Sequence, residues 1–324
     1  MNGIFSIQRR SMSDLVRLSK RMSELNLCSR READKLIQEA KVFVNGNAVE
    51  PIMGQKVKAD ETDIQIITKH GKTSVGDAMS HDRGETVMLN KPKGFVSGQP
   101  DPRHKHVPAV RLLTRENLSC TTPEIKSILA DGNYLHFAKR FHDGDDGVST
   151  LLKYAPAGRL DLDSSGLLLF TKNGVAAKNI LSSMEKEYLV KVEPAQSLSR
   201  QELRMGKTSL PYPPVWDLSK LLKGGKRLWD DHKPLKPLVE AEWIEEGRDD
   251  KGVWNGTGII KMVLVEGKKR QIRRMCRELL GLHVLELKRT RVGDISLEDL
   301  PVGKWRPLVD SERKSIVAIS KSSV

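Results

Sequence analysis

GRLDLDSSGLLLFTKNG, residues 158–174, decides the fold of the larger part of this chain. Within it LLLFT (167–171) is a short continuous apolar run closed by the turn residues Lys172, Asn173 and Gly174, the pattern of a buried strand. VAAKNILSSM (175–184) then resumes helical spacing. Asp161 and Asp163 stand in the loop that feeds the strand, with Gly158 and Gly166 permitting tight turns. A carboxylate beside a core needs a cationic partner, because otherwise burial raises its pKa and neutralises it. Arg159 is near in sequence, but the richest supply of cations is QIRRMCR (271–277). There Ile272, Met275, Cys276 and Leu279 make a helical stripe that Gly281 stops. Arg273 and Arg277 share one flank of that helix and Arg274 lies on another. The preceding strand, KMVLVEGKKR (261–270), is basic as well.

The charge is uneven over the whole chain. Its 324 residues carry a formal net charge of +13, and residues 261–291 alone hold ten Lys or Arg against Glu266, Glu278 and Glu286. Such a balance points to a polyanionic partner, since Lys and Arg neutralise phosphates and release condensed counterions. No apolar run approaches the roughly 18 residues of a membrane-spanning helix, which argues against a membrane function. Cys28, Cys120 and Cys276 have no paired spacing, which argues against a disulfide framework or a Cys-based zinc site and suits a reducing compartment. The opening MNGIFSIQRRSMS has no acid and reads as a disordered lead-in, with a short organelle-targeting segment as the alternative.

Residues 12–72 read as a separate compact unit. Leu18, Met22 and Leu25 recur at helical spacing after the cap candidate Ser13. A second helix starts at SRRE, where Ser29 and Glu32 can form a capping box and Ala33, Leu36, Ile37 and Ala40 make the apolar stripe. Asn45-Gly46 signals a hairpin and IQIIT (64–68) a further strand. Arg17, Lys20, Arg21, Arg30 and Arg31 crowd this unit, together with Lys35 and Lys41. Cations at a helix N-terminus do not help the macrodipole, so Arg30 and Arg31 make better sense if a phosphate docks there.

RLSKRMSELNLCSRREADKLIQEAKVFVNGNAV resembles an S4 domain, a small RNA-binding module, and the resemblance implies that its two helices and hairpin hold the edge of structured RNA. Residues 73–84 read as a linker, and a second domain spans 85–318, opening with the strand ETVMLN and the loop KPKGFVSG. Within it, 101–150 and 220–256 read as insertions, the first with a short helix near 109–116.

Taken alone, the Asp161–Asp163 pair leaves several chemistries open. Metal chelation lacks a third ligand at convincing spacing, and a two-carboxylate glycosidase lacks a second carboxylate of suitable placement. One Asp held charged by an Arg, acting as nucleophile or electrostatically, is the remaining option. NKPKG (90–94), GRLDLDSSGLLLFTKNG, KEYLVKV (186–192), EGKKRQIRRMC (266–276) and LKRTRVGDISLEDLPVGKWRPL (287–308) together resemble the RsuA/RluB/RluF family of pseudouridine synthases, nearest the RluF branch. That resemblance implies an α+β catalytic domain with a mixed, largely antiparallel sheet. It implies isomerisation of a uridine in ribosomal RNA, of the large subunit on the RluF likeness, without metal or cofactor. The catalytic aspartate falls on Asp161, the tyrosine lying against the target base on Tyr188, and the basic partner of the aspartate on Arg273. Asp163 falls where the family varies. Phosphate contacts are expected from Arg159, Lys268, Lys269, Arg270, Arg274 and Arg277, besides the basic residues of the S4 unit. The partner would be ribosomal RNA or an assembling subunit, met by a monomer in the cytoplasm or an organelle matrix. A non-catalytic RNA-binding or ribosome-assembly factor is the rival reading.

Overall fold

The computed structural model describes residues 15–25, 27–28, 30–68, 71–73, 86–98, 105–119, 123–130, 154–196, 217–229 and 231–318. The cap candidates Ser13 and Ser29, the side chain of Arg31, Cys120 and residues 131–150 lie outside them. The chain divides into two compact units, Met1–Arg83 with Asn173–Val175, and Gly84–Lys172 with Ala176–Val324.

The smaller unit runs β1 (Leu15–Arg17), α1 (Leu18–Glu24), α2 (Arg30–Gln38), β2 (Val42–Val44), β3 (Asn47–Ala48), β4 (Lys56–Lys58), β5 (Ile64–Thr68) and β6 (Gly71–Thr73). β2 and β3 form the hairpin expected at Asn45-Gly46, where both turn residues have positive φ (50° and 75°) as a tight two-residue turn demands. The antiparallel order β3-β2-β5-β6 places Val42, Ile64 and Ile66 against Leu18, Met22, Ala33 and Ile37 of the two helices. The apolar stripes read from the sequence therefore meet in one core.

The larger unit contains β7 (Thr86–Lys91), the helix α3 (Pro123–Ala130), β8 (Ala155–Pro156), β9 (Ser165–Thr171), α4 (Gly174–Ser182), β10 (Lys186–Pro194), α5 (Ser219–Lys223), β11 (Glu240–Arg248), β12 (Trp254–Leu264), α6 (Gln271–Met275), β13 (Leu282–Val292), β14 (Ile295–Ser296), β15 (Trp305–Pro307) and α7 (Asp310–Ala318). Its sheet has the order β11-β12-β10-β13-β9-β7-β15, antiparallel except where β13 and β9 run parallel. Alternation along β9 sends Leu167 and Leu169 into one apolar cluster and Leu168 and Phe170 into another. Met88 joins the first from β7, and Val87 and Leu89 join the second. Both faces of the sheet centre are covered, so the strand has no polar alternation and reads as an unbroken apolar run.

Among the described residues, parts of the two stretches expected as insertions pack in the core. Ala109, Val110 and Leu113 are buried with Leu160 and Trp305, and a single 3₁₀ turn (Ala109–Leu112) replaces the helix expected at 109–116. Leu218, Leu221, Leu228, Leu235 and Leu238 pack against Ile272, Met275 and Cys276, while β11 and β12 carry the sheet to its edge. Gly224, Gly225, Pro234 and Pro237 interrupt the leucines of 217–238 and rule out a continuous helix, which concealed the burial. The arginine helix ends at Gly281, left-handed as expected (φ 69°), but Cys276–Leu280 widens into a π turn. That extra residue per turn brings Leu280 into full burial in line with Met275 and leaves Leu279 half-buried.

Candidate active site

Asp161 is placed by its neighbours along the chain. Leu160 is buried in the sheet's apolar cluster, and its N–H donates to Ser97 Oγ at 2.9 Å while Ser97 Oγ donates to its carbonyl at 2.8 Å. On the other side, the Gly94 N–H donates to the Leu162 carbonyl at 2.8 Å. The KPKGFVS loop thus brackets Asp161 fore and aft, leaving its half-buried side chain free of any structural duty in that bracket. The next anchor is Gly166, at φ 102°, where a Cβ would lie 2.2 Å from the Arg289 carbonyl oxygen. Only glycine lets β9 approach β13 there, because Gly166 and Arg289 are paired across the two parallel strands.

The cations are distributed differently from the sequence expectation. Arg273 makes its ion pair with Asp163 (Nε to Oδ2, 3.3 Å), and its fork donates to the Asp163 carbonyl at 2.9 Å and the Val284 carbonyl at 2.9 Å. It does not form the expected pair with Asp161. Instead it staples the aspartate loop to β13. Arg270, expected to do no more than touch RNA, grips the Asp163 carboxylate through both terminal nitrogens at 3.2 and 3.0 Å and stands 3.9 Å from Asp161 Oδ2. Arg270 adopts a left-handed backbone (φ 50°) at the start of α6, a conformation costing a non-glycine residue on the order of 1–3 kcal/mol and met mainly at functional sites. Asp163 therefore neutralises two arginines, while Asp161 keeps an open carboxylate at the edge of their positive field. Burial pushes the Asp163 carboxyl up, but the Arg270 hydrogen bonds and the charges of Arg273 and Arg270 outweigh it and hold it below the usual range. Burial likewise lowers Arg273, against the pull of Asp163.

Two further cations lie beneath the loop. Lys91 has no exposed surface, and its ammonium donates to the Pro92 and Phe95 carbonyls, both at 2.9 Å, which shapes the bracket that carries Gly94 and Ser97. Burial brings it down to about 8, opposed by the charges of Asp163 and Asp161. Arg289 is buried, donates to the Leu167 carbonyl at 2.7 Å and pairs in register with both Tyr188 and Gly166. Tyr188 is thus two strands from the foot of the aspartate loop, roughly 10 Å along the hydrogen-bonding direction. It is half-buried between the two apolar clusters, next to a bulge at Glu187/Tyr188.

The expected RNA contacts separate into two groups. Arg159, Lys269, Arg17 and Arg30 are exposed, and Arg277 is half-buried. Lys20 is paired with Glu24 at 3.4 Å. Arg21 is committed inside its own unit, donating to the Glu61 carbonyl at 2.6 Å and facing Glu24 at 3.6 Å. Lys268 and Arg274 are also committed: both pair with Asp231, at 3.4 and 2.9 Å, and Lys268 donates to the Lys233 and Pro234 carbonyls. These contacts reach into 217–238, a partner that a sequence pattern cannot place.

Ser97, Asp163, Lys91 and Arg289 were not singled out by sequence reasoning for the roles they hold. The only signal was their position in or beside the NKPKG, GRLD and LKRTR motifs. Ser97→Ala leaves both polar groups of Leu160 without their partner, and is expected to lower kcat about tenfold with KM nearly unchanged. Ser97→Thr, which keeps the hydroxyl, should restore most of the loss. Equal losses in the two variants would refute a positioning role.

Comparison with known proteins bears on the family and the fold. Residues 85–278 match the RNA pseudouridylate synthase family and residues 16–60 match the S4 domain. The chain is 29% identical over 311 residues to the dual-specificity RNA pseudouridine synthase RluF of Escherichia coli K12, covering 95% of this chain and 80% of that one. It is 26% identical to the ribosomal large subunit pseudouridine synthase B of Bacillus subtilis 168 (94% and 96% covered) and 27% identical to the ribosomal small subunit pseudouridine synthase A of E. coli K12 (93% and 100%). A crystal structure of a pseudouridylate synthase matches with a TM-score of 0.50 at 23% identity over 93% of this chain and 99% of that one, a likeness of fold. A sheet that buries LLLFT on both faces, an aspartate loop bracketed at its mouth and a family match over more than half of the sequence lead to one conclusion: this chain belongs to the RNA pseudouridylate synthase family, with an S4 domain ahead of its catalytic domain.

Proposed function

We propose that this enzyme isomerises one specific uridine of ribosomal RNA, in the large subunit, to pseudouridine, with Asp161 as the catalytic group. The observation that carries the reading is Asp161 itself, bracketed through Leu160 and Leu162 while Asp163 takes the arginines. The reaction breaks the N1–C1′ bond, turns the uracil and joins C5 to C1′, and the proton lost from C5 is balanced by one gained at N1. It is redox-neutral and loses no group, so it requires neither a cofactor nor a metal. Asp161 engages the nucleotide, by attack on the sugar or by assisting glycal formation. Tyr188 offers its face to the uracil. Arg270 and Arg273 act at one remove, setting the field and holding the loop. A base within folded RNA must leave its stack to reach this loop, and exposed Arg159 and Lys269 supply phosphate contacts.

The choice of large-subunit RNA rests on the resemblance of the KEYLVKV and GKKRQIRRMC motifs to the RluF branch, and the B. subtilis relative is named for the large subunit. The protein is taken to work as a monomer in a cytoplasmic or organelle-matrix compartment. The test is incubation of the enzyme with unmodified large- and small-subunit transcripts, followed by position-by-position mapping of pseudouridine. One new pseudouridine in the large-subunit transcript is expected. Modification confined to the small-subunit transcript, or none in either, would overturn the assignment.

A further inference from the structure

Residues 217–238 form a strap whose inner side is leucine and whose outer side is basic. Leu218, Leu221, Leu228, Leu235 and Leu238 are buried against the arginine helix. Lys220, Lys223, Lys226, Arg227, His232, Lys233 and Lys236 are exposed. Among them stands Trp229, 46% exposed and directly after the buried Leu228. A single exposed hydrophobic side chain is ordinary on a protein surface. What sets this indole apart is the set of exposed basic side chains that flank it along the chain, Lys226 and Arg227 before it and His232 and Lys233 after it.

Its backbone is fixed at both ends. The Trp229 N–H donates to Glu278 Oε2 at 2.8 Å, and its carbonyl accepts from Arg274 Nη2. Arg274 is in turn held by Asp231 at 2.9 Å and Glu278 at 3.5 Å. Burial alone would push Asp231 up, but Arg274 and Lys268 hold it below the usual carboxylate range. These contacts neutralise the charges of Lys268 and Arg274. The strap carries exposed cations and a tryptophan whose backbone is held on both sides, adjoining the helix whose Arg273 holds the aspartate loop.

We infer that Trp229 is a stacking platform for one unpaired nucleotide of the RNA substrate, with Lys226, Arg227 and Lys233 holding the flanking phosphates. The inference rests on the RNA-modifying function proposed above. A rigid aromatic face flanked by cations is how proteins hold single-stranded nucleic acid, because every base has a π-face and stacking tolerates any sequence. Cations alone would give affinity without fixing the strand. The ring sets where one base lies relative to the aspartate loop.

The experiment measures binding of a fluorescent single-stranded oligouridylate, and of the large-subunit transcript, to the full chain across a salt series. Trp229→Leu keeps apolar bulk without a π-face and is expected to weaken binding about tenfold with the salt slope unchanged. Trp229→Phe should stay near wild type. The double variant Lys226→Ala/Arg227→Ala should flatten the slope by roughly 1.4. Trp229→Leu binding like wild type, or Trp229→Phe losing as much as Trp229→Leu, would overturn the platform. The transcript assay separates the two proposals. Wild-type protein that binds as described yet makes no pseudouridine refutes the function and leaves the platform standing, whereas active protein indifferent to Trp229→Leu refutes the platform alone.

Discussion

Asp161→Asn is expected to remove pseudouridine formation below detection, a loss of more than roughly 10³-fold, equivalent to about 4 kcal/mol of barrier. The substitution is nearly isosteric, and Leu160 and Leu162 keep their hydrogen bonds to Ser97 and Gly94, so the loop should stay in place. No hydrogen bond of the bracket uses the Asp161 side chain, and its nearest cation, Arg270, remains engaged with Asp163. Stability and RNA affinity should therefore change little, within the ~0.5 kcal/mol usual for a side chain without structural duty. Tritium release from C5-labelled RNA measures turnover, and thermal melting and RNA titration measure the rest. An Asn variant that turns over would end the assignment of Asp161. One that fails to fold would show that the carboxylate is structural.

Arg273→Lys should have the second largest effect, on both activity and stability. Arg273 reaches the Asp163 carboxylate, the Asp163 carbonyl and the Val284 carbonyl at once, with its side chain only 11% exposed. An ammonium keeps the charge but has no planar fork to serve partners on two segments. The staple between the aspartate loop and β13 opens, so kcat is expected to fall about 10²-fold by misplacement of the loop. Because the partners are partly buried, a stability loss of about 1–3 kcal/mol should accompany it, visible as a lower melting temperature. A lysine variant with normal kcat would show that the loop holds its place without the staple. Conversely, a drop in kcat with an unchanged melting temperature would move Arg273 from positioning the loop to acting on the substrate.

The contrast between Arg273 and Arg270 shows how much of the site was legible. Both arginines, both aspartates and their motifs were visible in the sequence, and the helix stop at Gly281 and the hairpin at Asn45-Gly46 formed as read. Which arginine faced which aspartate was not visible. That depends on the left-handed turn at Arg270 and on the approach of β13 to β9, and neither leaves a periodic trace. Ser97 escaped for the same reason. A single hydroxyl that accepts from and donates to one residue 63 positions away has no local pattern. The burial of the leucines of 217–238 escaped because Gly224, Gly225, Pro234 and Pro237 interrupt any continuous helix through them, and that of 109–113 because five residues are too few to show which partner they pack on.

By itself the sequence determined the hairpin at Asn45-Gly46, the strands at 64–68 and 86–90, the buried LLLFT run, the helices that follow Arg17, Ser29 and Asn173 and the residue types of the site, because these follow from interactions among near neighbours. Only the tertiary structure decided the pairing of charges. Asp163 takes the two arginines, Asp161 keeps its carboxylate open, and Lys268 and Arg274 turn inward to Asp231. Periodicity records which side of an element faces the core. Which charge meets which is set by how elements distant in sequence are brought together, and the energy of an ion pair depends on that separation and on burial.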